Sequence, residues 1–262
     1  SGNAQNSNIN QGNNPSQGNN TSNQTPSYSF ENELVWSDEF DVDGPISSDK
    51  WNTETIPPDN GSWYNGELQY YTDREENIKV ENGLLKITAK REDYSGKLYT
   101  SARIHTQDKY EFKYGKVEFR AKLPAGAGTW PALWMLGQNY ATNTWPACGE
   151  IDIMEHKGNQ PNIILGSVHY TGRSGGNSVT SQILSSNVSS EFRKYKVIWS
   201  PQSIRFYVDN VLFHSVINSN SLPFNSDFFL IMNVAMGGTF GGTVDPAFSQ
   251  SSMEVDYVRV YQ

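Results

Sequence analysis

The 262-residue chain contains one cysteine, Cys148, so no disulfide can form within it, and its place beside Gly149 reads as a small buried residue. No apolar run approaches the roughly 18 residues that a membrane-spanning helix requires. A signal-peptide pattern is also missing, so an exported protein would have lost its signal already. Basic residues are few: 20 Lys and Arg stand against 28 Asp and Glu, for a net charge of −8 and a pI near 5.0. That balance disfavours nucleic acid or an anionic membrane as a partner and is compatible with a neutral one. No trio of His, Cys and carboxylate stands at catalytic transition-metal spacing, and the pairs Gly237-Gly238 and Gly241-Gly242 lack phosphate-loop spacing. Charge is absent altogether from residues 1–29, which are mostly Asn, Gln, Ser, Gly and Thr. Such a segment cannot bury enough apolar area to offset its ordering entropy. It is predicted to be a flexible polar tether ahead of a single folded domain, residues 30–262.

Long helical periodicity is missing too, and what replaces it is strand alternation. Lys116 to Leu123 alternates strictly, with Val117, Phe119, Ala121 and Leu123 on one face. Tyr195, Val197 and Trp199 repeat the pattern. Ser203–Val208 and Val211–His214 flank Asp209-Asn210, a two-residue hairpin turn of the primed kind. Asn82-Gly83 announces another strand over Gly83–Thr88. Many short strands joined by Gly- and Pro-bearing turns predict an all-β sandwich or barrel.

Within this pattern Gly149-Glu150-Ile151-Asp152-Ile153-Met154-Glu155-His156 stands out. Alternation places Glu150 and Asp152 on one face of a strand and Glu155 on the other. One extra residue, a β-bulge around Ile153 or Met154, would return Glu155 to the face of the other two. Three acids on one face repel, and no Lys or Arg lies inside the run to offset them. A fold gains nothing from that arrangement, whereas glycoside hydrolysis needs paired carboxylates. At about 3.3 Å per residue, four effective steps put the Glu150 and Glu155 Cα atoms roughly 13 Å apart. Inward-reaching side chains on a concave sheet can close that to the about 5–5.5 Å of a retaining pair, and the about 6.5–9.5 Å of an inverting pair stays open. A solvated acidic face and a Ca²⁺ site are the plainer readings of clustered carboxylates. Three tryptophans just upstream, Trp130, Trp134 and Trp145, weigh against both, since indole rings stack on the apolar faces of sugars.

These residues carry a resemblance. Trp130-Pro131-Ala132-Leu133-Trp134-Met135-Leu136 followed by Gly149-Glu150-Ile151-Asp152-Ile153-Met154-Glu155 resembles glycoside hydrolase family 16, in its laminarinase-like branch. Similarity extends through Trp36–Phe40, Asn65–Thr72, Thr100–Ile104, Asn233–Gly238 and Asp256–Tyr261, in the family's order. The resemblance implies a curved jelly-roll β-sandwich (concanavalin A-like) with its cleft on the concave sheet. It implies Glu150 as nucleophile, Glu155 as general acid/base and Asp152 as an orienting group between them. Asn65, Arg103, Trp130, Trp134, Trp145, His169 and Asn233 become expected sugar-binding residues, with Trp134 nearest the reacting ring. No cofactor is implied for catalysis. A structural Ca²⁺ is implied on the convex side, at Asp256 and the Gly83 carbonyl with Glu39 nearby. His156 is expected to be a hydrogen-bonded structural residue.

The expected partner is a β-glucan polysaccharide, with no nucleic acid, no membrane contact by the domain itself, and a monomeric state. The expected activity is retaining endo-hydrolysis of β-1,3 or mixed-linkage β-1,3-1,4-glucan. Two alternatives stand beside it: a non-catalytic glycan-binding jelly roll, and a galactanase or transglycosylase on the same scaffold. Loops 57–66, 139–146 and 237–246 would set which glucan backbone fits. The uncharged leader suggests a secreted or cell-surface protein, lipid-anchored through the tether.

Overall fold

Val117, Phe119 and Ala121 point into the protein from one strand and share the main hydrophobic core with Leu230, Met232 and Val234. A computed structural model describes residues 33–262, and the expected tether of residues 1–29 lies outside them. In chain order the strands are β1 (Leu34–Asp38), β2 (Asn52–Thr53), β3 (Gln69–Tyr71), β4 (Ile78–Glu81), β5 (Leu84–Tyr94), β6 (Lys97–Ser101), β7 (Arg103–His105), β8 (Gly115–Lys122), β9 (Thr129–Gly137), β10 (Glu150–Glu155), β11 (Ile163–His169), β12 (Val179–Leu184), β13 (Arg193–Trp199), β14 (Ser203–Val208), β15 (Val211–Ile217), β16 (Phe228–Met236) and β17 (Gln250–Tyr261). They form two sheets. One has ten strands and runs β15-β14-β13-β8-β17-β5-β6-β3, with β1 on β17 and β4 on β5. The other has seven and runs β12-β11-β10-β9-β16-β7-β2. Neighbours far apart in sequence, such as β8 beside β17 and β9 beside β16, are what jelly-roll winding produces.

Local chemistry explains these elements. Asp209-Asn210 and Asn82-Gly83 have positive φ at both turn positions, as a primed hairpin turn requires, and they join β14 to β15 and β4 to β5. β5 runs to Tyr94, beyond the predicted Thr88, because β17 pairs with it as far as Lys90 and β6 pairs with it from Lys90 to Tyr94. A register shift between Val255 and Tyr257 lets Met253 and Val255 face the core together with Val258 and Val260, three residues later. The only α-helix among the described residues is the single turn Gly238–Gly241, in the stretch read as glycine loops. None of the described helices is long and apolar enough to cross a membrane.

The seven-stranded sheet positions the site. Its inner face supplies Ile104, Leu133, Met135, Ile151, Leu230, Met232 and Val234 to the core. Its outer face carries polar and aromatic residues in rows set by register. One row runs Glu150–Leu136–Phe229, the next Asp152–Trp134–Ile231–His105, and the next Glu155–Ala132–Asn233–Arg103. Phe229, Ile231, Leu136 and Cys148 form a small second apolar cluster on this outer face, packed against Trp134 and Tyr140. Cys148 is buried there, as expected.

Candidate active site

The bulge is present. Asp152 pairs with Trp134, but Met154 pairs with Leu133, so β10 spends one residue more than β9 over that step. Against β11 the register slips between Asp152 and Glu155. Ile153 and Met154 are both wholly buried, whereas Glu150 and Glu155 are half-buried and open to the outer face. Alternation alone cannot bury two successive residues and return Glu155 to the side of Glu150. The irregular step does both. Gly149 stands just before β10, with φ +85°, and an added Cβ there would crowd Phe228, Pro223 and Phe224 at 3.0–3.2 Å.

Each glutamate is held by an indole. Trp145 Nε1 donates to Glu150 Oε2 at 2.6 Å, and Trp130 Nε1 donates to Glu155 Oε1 at 3.1 Å. Asp152 is only 2% exposed and lies between them, hydrogen-bonded to both. A bond between two carboxyl groups needs a proton, so the trio cannot carry three charges. Burial is the first cause that raises all three carboxyls, and a neighbouring carboxylate charge is the second. Glu150 and Asp152 are raised well above the usual carboxylate range, and Glu155 is pushed up to about 7. Their protons belong to the group rather than to single residues.

His169 on β11 faces Glu150 in register. The Gly175 N–H donates to its Nδ1 at 3.0 Å, which leaves Nε2 to carry the ring proton toward Asp152 Oδ2, 2.8 Å away. Both ring nitrogens are therefore taken by the protein. The Nε2 contact sets the imidazole against Asp152. His156 is wholly buried, with Nε2 3.0 Å from the Pro161 carbonyl, so it is structural as expected.

Two carboxylates flanking a third, on a tryptophan-lined sheet face, are suited to glycoside chemistry. Residues 65–259 match the model of glycosyl hydrolases family 16. The chain belongs to that family. Among its relatives is a β-glucanase of Rhodothermus marinus, 43% identical over 246 residues, a match spanning 88% of this chain and 85% of that one. A solved LamA variant from Zobellia galactanivorans, in complex with laminaritriose and laminaritetraose, is 40% identical with a TM-score of 0.84 over 88% of this chain and 99% of that one. A non-specific endo-β-1,3(4)-glucanase crystallised with a mixed-linkage oligosaccharide is 39% identical with a TM-score of 0.83, over 88% and 94% of the two chains.

The other family positions cluster on the same outer face. Trp134 pairs with Asp152, and the Arg103 guanidinium lies 4.8 Å from the centre of its ring. Arg103 is also ion-paired with Glu54 at 2.6 Å, so the edge salt bridge and the cleft position coexist. Trp134 Nε1 donates to Asn233 Oδ1 at 2.7 Å, and Asn233 Nδ2 donates to the Tyr71 hydroxyl at 3.1 Å. Asn65 is exposed with φ +64° and donates from Nδ2 to Glu67 Oε2 at 3.3 Å. Of the three tryptophans only Trp145 is largely open, at 46% exposure. Sequence reasoning missed Glu54, Glu67, Gln69 and Tyr71. The signal was there: in Asn65–Tyr71 every second residue is polar or phenolic, which puts the four odd-numbered positions on one side of an extended chain.

The implied calcium site does not fit these side chains as they stand. Strand register brings Glu39 and the Gly83 turn toward Asp256, since Asp38 pairs with Val258 and Leu85 with Val255. Arg259, however, occupies both Glu39 oxygens at 2.8 and 3.0 Å, and Arg120 occupies Asp256 Oδ2 at 2.9 Å. Two arginine–carboxylate pairs meet the charge demand that Ca²⁺ would otherwise meet. Among the described residues the one group of His, Cys, Asp and Glu ligand atoms within metal-binding reach is Glu150, Asp152 and His169, whose atoms already bond one another.

Proposed function

We propose that this chain is a retaining endo-β-glucanase that cuts β-1,3 bonds, or β-1,4 bonds beside β-1,3 linkages, in neutral glucans. The observation that carries this reading is the bulged strand β10, which turns Glu150 and Glu155 to one face with Asp152 bonded to both. A retaining pair stands about 5–5.5 Å apart, a spacing that two glutamates bridged by one shared carboxyl can adopt.

Glu150 attacks the anomeric carbon through a carboxylate oxygen, and the glycosidic C–O bond breaks as Glu155 delivers its proton to the leaving oxygen. The Trp145 N–H favours the charged form of Glu150 and so offsets part of its burial. Esterification removes the Glu150 charge that helps keep Glu155 protonated. Glu155 then ionises more readily and takes a proton from the water that opens the ester. Sugar C1 keeps its original configuration after two inversions.

A purely glycan-binding role has no use for a carboxyl raised to about 7 beside two others. The test is reducing-end release from laminarin, mixed-linkage glucan and agarose by wild type and Glu150→Gln. Release from the glucans with loss of nearly all turnover in Glu150→Gln supports the reading. Release from agarose alone, or more than about a tenth of wild-type rate in the variant, contradicts it, because an amide cannot form the ester. The cleft is built from one chain, which supports action as a monomer. Export or attachment at the cell surface fits the uncharged residues 1–29 and a polymeric substrate.

A further inference from the structure

Glu67 is a buried acid that the double displacement does not use. It is 7% exposed, and its two oxygens accept from three side chains: Gln69 Nε2 at 3.0 Å and the Tyr71 hydroxyl at 3.4 Å on Oε1, and Asn65 Nδ2 at 3.3 Å on Oε2. Burial raises its pKa, and the nearby Arg103 charge opposes that first among the lowering influences. Tyr71 is raised well above the usual phenol range by burial, so it remains a hydroxyl and a donor.

The hydrogen bonds that meet at Glu67 run in one direction. Trp134 Nε1–H can only donate, so the Asn233 oxygen must accept and its amide nitrogen must turn to Tyr71. The Tyr71 oxygen accepts there and sends its own proton to Glu67. An ionised carboxylate can only accept, so it closes the chain without conflict. On its second oxygen Glu67 fixes the Asn65 amide the same way round, nitrogen inward. The backbone tightens this corner. Thr239 N–H donates to the Asn65 carbonyl at 2.8 Å, and a Cβ on Gly238 would sit 2.7 Å from that same oxygen. Gln69, the third donor to Glu67, accepts the Met236 N–H at 2.9 Å and so ties the acid to the end of β16.

We propose that Glu67 is a positioning residue for substrate: through Tyr71 and Asn233 it fixes the Trp134 indole beside Asp152, and directly it fixes the Asn65 amide at the cleft loop. The proposal rests on the glucanase reading for its kinetic consequence, but the chain of bonds is a property of the protein alone. Glutamine at position 67 has the same shape and one acceptor instead of two. Its NH₂ must face either Tyr71 and Gln69 or Asn65, where the native groups are donors. One side of the network must then turn over.

The test is Glu67→Gln, followed by two readouts. The first is the Trp134 indole ¹H–¹⁵N resonance in the free protein, assigned with Trp134→Phe. With the new NH₂ toward Tyr71 it should shift and exchange with solvent faster than in wild type; with the NH₂ toward Asn65 the resonance stays and the loss shows in KM alone. The second is kinetics and binding with laminaritetraose, binding being measured in a Glu150→Gln background to prevent turnover. KM and Kd should rise about tenfold while kcat changes less than about threefold, since the lost groups hold substrate rather than the reacting atoms. Tyr71→Phe cuts the chain while keeping the ring, and should move the indole resonance in the same direction even if Glu67→Gln does not fold. A folded Glu67→Gln protein with an unmoved indole resonance and unchanged KM would overturn the proposal, as would a Tyr71→Phe protein with an unmoved resonance. If the resonance moves but wild type neither binds nor cuts laminaritetraose, the relay stands and the glucanase reading falls.

Discussion

Trp145 Nε1 lies 2.6 Å from Glu150 Oε2, so the most exposed tryptophan of the cleft also holds the proposed nucleophile. A ring on the rim has been given an electrostatic task. Its N–H stabilises the carboxylate form that must attack, against the burial that favours the acid.

Trp145→Phe keeps an aromatic surface and removes that donor. The Glu150 pKa then rises, so the acid limb of the kcat/KM–pH profile should move to higher pH. Activity at the pH optimum should fall about tenfold, the cost of one charge-assisted hydrogen bond of about 1.5 kcal/mol. An unmoved acid limb would show that the indole serves only as a sugar platform.

Glu155 gives a second pH effect, on stability. Its carboxyl is raised from 4.5 to about 7 on folding, because burial and the Glu150 charge penalise the anion. A raised carboxyl favours the folded state while it is protonated in both states, below about pH 4.5, and that advantage fades as pH climbs to 7. Differential scanning calorimetry should therefore give a Tm that falls between pH 5 and pH 7.5 in wild type and falls less in Glu155→Gln. Equal slopes in the two proteins would contradict the burial of this group's charge.

Much of this was legible in the sequence, and for local reasons. The Asp209-Asn210 and Asn82-Gly83 turns, the buried face of Val117, Phe119 and Ala121, and the bulge after Asp152 all follow from spacing within a few residues. The outer-face network was not legible, because its partners are set by register between distant strands. Nothing near Trp134 in sequence announces Asn233 or Tyr71, and nothing near His169 announces that Gly175 will fold back to occupy Nδ1. The Glu39–Arg259 and Asp256–Arg120 pairs escaped for the same reason. Trp130 and Trp145 were readable as sugar platforms, but their donation to Glu155 and Glu150 depends on where strand β9 and the loop before β10 place the indole nitrogens.

The bulge itself can be tested by removing a residue. With Met154 deleted, Glu155 stands four places from Glu150 and shares its face by strict alternation. The protein should fold, retain measurable hydrolysis and change its linkage preference between laminarin and mixed-linkage glucan. Its barrier should rise by a few kcal/mol, since a displacement of about 1 Å can cost on the order of 10²-fold in rate. Wild-type rate with a wild-type product pattern would mean that the extra residue does not set the catalytic geometry.

The account turns on Glu150 as the atom donor to C1, and covalent trapping tests that most directly. In a 2-deoxy-2-fluoro-β-laminaribiosyl fluoride the 2-fluorine slows both formation and hydrolysis of the ester, while the good fluoride leaving group keeps formation the faster step, so the adduct accumulates. Mass spectrometry of the peptic digest should place a single fluoroglycosyl group on Glu150, with none in Glu150→Gln. An adduct on Asp152 or Glu155, or steady turnover of active enzyme with no adduct and α-configured first product, would contradict it.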